Sequence, residues 1–132
     1  MKTIKILLFG GAMYFFLMAF VHAIGLKIPG LYIYFNVPSY PYQDKIISLL
    51  AFGWATFFFA VASNPVKRLV ESILLSGAAA IIMLTYINLT TDFTGLSGAI
   101  HPKWFYLQAA ALFVYWLLLF WHYNKTKKIL PL

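Results

Sequence analysis

The sequence predicts an all-α integral membrane protein: an antiparallel four-helix bundle in one domain, residues 1–132, with both termini cytoplasmic and an aromatic-rich outer loop between helices 1 and 2. Three observations predict it. Of the 132 residues, 63% are hydrophobic and only 10% charged, whereas a soluble domain carries roughly 25% charge. A chain this short has too much surface for its volume to hide that apolar excess from water, so the excess faces lipid. Four stretches approach the about 20 apolar residues that cross a hydrocarbon core about 30 Å thick. The cations alternate between the two ends of those stretches in the manner of a multi-pass chain.

The spans are read at 6–26, 46–62, 69–89 and 104–123. Each is a helix, because lipid offers no partner to an open backbone group. Runs such as Leu117-Leu118-Leu119-Phe120-Trp121 lack the alternation of a barrel strand. The second span is the shortest but is dense in apolar area at Phe57, Phe58 and Phe59, and extension to Asp44 or Ser63 lengthens it. Pro29, Gly30, Pro38 and Pro41 break the chain after the first span, Ser63-Asn64-Pro65 after the second, and Gly95, Gly98 and Pro102 after the third. Ser63 or Asn64 is the expected cap of the third helix, with Pro65 in its first turn.

Lys and Arg resist translocation. Four crossings place Lys2, Lys5, Lys67, Arg68, Lys125, Lys127 and Lys128 on one side, against Lys27, Lys45 and Lys103 on the other. The formal charge of +7 is therefore a topology signal and an attraction to anionic headgroups, not a sign of nucleic acid. The compact chain, with no lipidation or retention signal, is read as a multi-pass protein of a bacterial cytoplasmic membrane. The rival reading takes Lys2, Lys5 and the apolar run ending at Val21-His22-Ala23 as a cleaved signal peptide. The length of that run disfavours it.

In lipid, helix interfaces favour small and polar side chains. On that rule the inner faces carry Gly11, Phe15, Met18, His22 and Gly25 in the first helix and Ser48, Ala51, Ala55 and Ala62 in the second. The third would use Ser76, Gly77, Ala80 and Thr85. The fourth shows a heptad seam of His101, Gln108, Tyr115 and His122, with Trp104, Ala111 and Leu118 three residues after its members. Gln108 is costly in lipid and is expected to face another helix. His22, Asp44 and His101 all reach the outer end, near Asn88 and Asp92, and form an expected polar cluster with Gln108 two turns deeper.

That cluster is compatible with several chemistries. His22 and His101 could ligate a haem b, with Asp44 behind a ring, or the three could hold a divalent metal. Neither has a compact motif, and no cofactor is predicted; an outward-facing haem- or metal-dependent redox enzyme is the alternative function. Ser48, one turn from Asp44, with a histidine base, would make an outward hydrolase, but no G-x-S-x-G elbow supports it. The absence of Cys removes thiolate nucleophiles and Fe–S ligation. The spans carry no deep ionisable residue of the kind that moves ions.

The outer loop holds Tyr32, Tyr34, Tyr40 and Tyr42 among prolines. It is read as an interfacial lid that could cap a lipid- or quinone-like ligand or dock a partner. Glu71 follows Lys67 and Arg68 at ion-pair spacing, and His122 with Trp121 and Tyr123 reads as an aromatic belt. Asn88-Leu89-Thr90 and Asn124-Lys125-Thr126 match the glycosylation pattern, but membrane proximity and a cytoplasmic side disfavour them. The reading overall is a small non-enzymatic membrane protein, an accessory or assembly subunit or a binder of a lipid- or quinone-like molecule. Its expected partners are membrane lipids and other membrane subunits or further copies of itself, with candidate ligand contacts at His22, Asp44, Ser48, His101, Gln108, Tyr115 and the loop tyrosines.

Overall fold

A computed structural model describes residues 1–26, 41–93 and 102–132. Those residues form four helices, α1 Lys2–Ile24, α2 Pro41–Ser63, α3 Lys67–Thr90 and α4 Lys103–Thr126. All four are long and apolar enough to cross a membrane. Of the outer loop expected from Leu26 to Lys45, residues 27–40 with Tyr32, Tyr34 and Tyr40 lie outside the described residues, as does His101, while residues 41–45 with Tyr42 are already helical.

The helices run longer than the apolar patterns that reveal them. α2 begins at Pro41, five residues ahead of its expected start, and has 23 residues. Proline suits a first helical turn, where its missing N–H has no partner to lose. Asp44, also in that first turn, faces the positive end of the helix dipole. α1 ends where Gly25 takes φ 66° and its N–H returns to the carbonyl of His22, a left-handed cap that glycine adopts without steric cost.

α1 and α2 pack together along their whole length. Lys5 Nζ donates to the carbonyl of Ser63 at 3.1 Å, and His22 meets Asp44, so the start of each helix lies beside the end of the other. Between those ends Phe15 stacks on Trp54 at 6.1 Å and tilts against Phe58 at 5.4 Å. α4 packs on α3 and less on α1, while α2 and α3 barely meet. The short Asn64–Val66 link joins α2 to α3. The shared core sits near the termini, where Ile4, Leu8, Val61, Val70 and Leu119 are almost wholly enclosed.

The structure makes three corrections, two about which side chains turn inward and one about a helix cap. On α3 the small residues Ser76, Ala80 and Thr85 are exposed, while Val70, Ile73 and Leu74 are buried and Gly77 half-buried. Large side chains win because the contact with α4 is built around the Trp116 ring, whose Nε1–H donates to the carbonyl of Leu74 at 2.7 Å. A side chain at Gly77 would press on that ring at 2.9 Å. On α4, Ala111 and Leu118 are exposed and Leu119 and Tyr123 take their place inside, so the packed stripe is Tyr115, Trp116, Leu119 and Tyr123.

Capping of α3 is the third. Val66 is the cap residue and has no side-chain acceptor to offer, and Ser63 spends its hydroxyl on the carbonyl of Phe59. The N–H of Lys67 instead donates to the carbonyl of Pro131 at 2.8 Å, and Leu130 beside it is buried at 6% exposure. The segment after α4 thus turns back over the start of α3 and supplies the acceptor that an Asn or Ser cap would have given.

Candidate functional site

Among the described residues, buried polar side chains occur in three places. The first joins α1 to α2. His22, 5% exposed at the end of α1, sets Nδ1 3.3 Å from Oδ1 of Asp44. The side chains are 4% and 14% exposed, and each engages further neighbours. Two of the three expected members of the outer cluster are therefore in contact. A carboxylate behind an imidazole orients the ring and selects its tautomer.

Around that pair the other candidates spread out. Ser48, one turn along α2, is half-buried; its hydroxyl makes no hydrogen bond among the described residues, and neither His22 nor Asp44 bonds it. Tyr42 projects outward at 75% exposure. Gln108 is half-buried, and its amide has no hydrogen-bond partner among the described residues. Tyr115, one heptad further along the same face, donates its hydroxyl to the carbonyl of Leu7 at 2.8 Å. This bond links α4 to α1 beside Gly11, where an added Cβ would lie 2.5 Å from both the Tyr115 hydroxyl and the Phe58 ring. Only glycine permits that approach, a role that its place on the inward face announced.

The second place is Asn88, 3% exposed near the end of α3. Its amide donates to the carbonyl of Phe105 at 3.1 Å and its own carbonyl accepts from the Tyr106 hydroxyl at 3.0 Å. Asn88 thus clasps α3 to α4, a role with no sequence signal because its amide bonds a backbone carbonyl.

The third is Tyr123, which the sequence assigns to an aromatic belt and which is in fact buried, donating its hydroxyl to Oε1 of Glu71. Glu71 makes no ion pair with Lys67 or Arg68. A tyrosine from α4 occupies the carboxylate instead. Tyr123→Phe keeps the ring and removes the bond, and should destabilise the chain by about 1 kcal/mol, read as a lower midpoint of detergent-induced unfolding; an unchanged midpoint would show that water replaces the hydroxyl at no cost. His122 and Trp121 stay at the surface: His122 Nδ1 donates to the carbonyl of Leu118 at 2.9 Å, and Lys125 Nζ sits 3.5 Å above the Trp121 ring.

Among the described residues no three His, Cys, Asp or Glu side chains come together as a metal site; His22 and Asp44 make a pair, and His101 lies outside the described residues. No family model, no curated protein and no solved structure matches the chain.

Proposed function

We propose that this chain is a non-enzymatic subunit of a larger membrane assembly, a four-helix antiparallel bundle with both termini cytoplasmic in a bacterial cytoplasmic membrane. The observation that carries the reading is the state of α4. It is the least enclosed helix, with 6% of its most apolar window buried, against 33% in α1. Its outward face nevertheless offers more than smooth hydrocarbon. Val114, Leu117, Leu118, Phe120, Trp121 and Asn124 border an open groove of about 450 Å³, and on a different face, the one shared with Tyr115, the half-buried Gln108 has an amide without a partner among the described residues. A grooved aromatic surface and an unsatisfied amide in an apolar span are both features that a neighbouring helix completes. The three enclosed polar groups described above join helices to one another, which is the work of packing.

Native mass spectrometry of the gently solubilised protein, with an absorbance scan and metal analysis of the same sample, tests this. A defined assembly that Val114→Trp and Leu118→Trp weaken, without loss of helix content, is the expected result. A lone chain would count against it, and a stoichiometric haem or metal would replace it with a redox enzyme at His22, Asp44 and His101. In that case substitution of either histidine should abolish activity, where a packing role predicts only reduced stability.

A further inference from the structure

The inner end of the bundle gathers charge from three separate parts of the chain. Lys2 and Lys5 open α1, Lys67 and Arg68 open α3, and Lys125, Lys127 and Lys128 follow one another where α4 ends. Contacts fix these parts to one another. Lys5 reaches the carbonyl of Ser63, Lys67 N–H reaches Pro131, and buried Leu130 pins the segment that carries Lys127 and Lys128. Lys127 Nζ is held 2.9 Å from Oδ1 of Asn124.

Against seven cationic side chains there is one acid at this end, Glu71, whose carboxylate already accepts from Tyr123. Asp44 and Asp92 belong to the opposite end. Depth follows from helix length. Helices of 23 and 24 residues extend about 35 Å, slightly more than the hydrocarbon core of about 30 Å, so their terminal cations stand in the headgroup layer. Lys125 above the Trp121 ring marks the same depth, since indole settles at that boundary.

We propose that this end is a docking surface for the phosphate headgroups of anionic phospholipids, with the folded-back segment 127–132 as one wall and the start of α3 as the other. The proposal rests on the chain spanning a membrane, not on its having a protein partner. The phosphate would be met by Lys67 and Arg68 from one side and Lys127 and Lys128 from the other, and the dipole of α3 adds to the attraction. Release of the C-terminal segment would separate the two walls while changing no charge.

The test is lipid retention by the full chain in detergent, counted by native mass spectrometry with phosphatidylglycerol and phosphatidylcholine offered in equal amounts. Phosphatidylglycerol should be retained in preference, and the preference should fall as salt rises from about 0.05 to about 0.5 M. The variant K67Q/R68Q/K127Q/K128Q should lower it by roughly tenfold, and Leu130→Ser, which keeps every charge, should lower it in part. Equal retention of the two lipids, or a preference indifferent to salt, would overturn the proposal even if the fourfold variant does not fold. So would displacement of the lipid by millimolar inorganic phosphate, which would make this a site for the free ion. A fully retained preference in Leu130→Ser would remove the folded-back segment from the site.

Discussion

Gly11→Ala should destabilise the bundle by about 3 kcal/mol, while Gly10→Ala, one residue away, should stabilise it by about 0.5 to 1 kcal/mol. The added methyl is the same in both. At Gly11 it would fall 2.5 Å from the Phe58 ring and 2.5 Å from the Tyr115 hydroxyl, far inside van der Waals contact. Neither neighbour retreats cheaply. Phe58 is 5% exposed and held between Phe15 and Trp54, and Tyr115 can move only by giving up its bond to Leu7. Overpacking of that kind reaches the upper end of the usual range of about 1 to 3 kcal/mol. At Gly10 nothing lies within 4 Å, so the methyl only removes the conformational entropy that makes glycine a poor helix residue. Unfolding of both variants in mixed micelles with increasing sodium dodecyl sulfate, followed by tryptophan fluorescence, gives the comparison. Equal midpoints would mean that α1, α2 and α4 do not meet at Gly11.

The second large effect belongs to His22→Leu, expected to cost about 2 kcal/mol. Removal of one partner from an enclosed pair leaves the other's charge without its best neighbour, which deep in a protein costs about 3 to 5 kcal/mol. The smaller figure applies because Asp44 keeps 14% of its side chain open at the helix end and has further neighbours. Asp44→Leu should cost a similar amount, and the double variant less than the two together, with a coupling of about 1 to 2 kcal/mol. Strict additivity would mean that the 3.3 Å approach carries no energy and that His22 acts through ring packing alone.

How much of this was legible depended on whether a feature is local in the sequence. Four helices announce themselves by apolar length, and the His22–Asp44 contact was foreseeable because two polar residues at adjoining helix ends in an apolar chain have few other partners. Gly11 and Tyr115 were legible as members of inward stripes. The inner face of α3 was not. The rule that small residues line membrane interfaces selected Ser76 and Ala80, yet the α4 partner brings a Trp, and a bulky ring is met by one gap at Gly77 flanked by large side chains. Bonds to backbone carbonyls, as from Asn88, Trp116 and Tyr115, leave no mark in the sequence because every residue has a carbonyl. The Glu71 pairing with Tyr123 spans 52 positions, beyond the reach of any helical spacing rule.

The position of the core near the termini makes the molecule mechanically uneven. Ile4, Leu8, Val61, Val70 and Leu119 clasp one end as a pivot, whereas α3 and α4 are joined toward the other end through Asn88, Phe105 and Tyr106. Two rods fastened at one end and latched at the other behave as tongs. Their opening motion should show as a gradient of amide hydrogen exchange, slow around Val70 and Leu119 and faster toward Tyr86 and Leu107. A lipid tail or a neighbouring helix that slips between α3 and α4 would enter at the latch, and loss of the Asn88 amide would leave the tongs ajar.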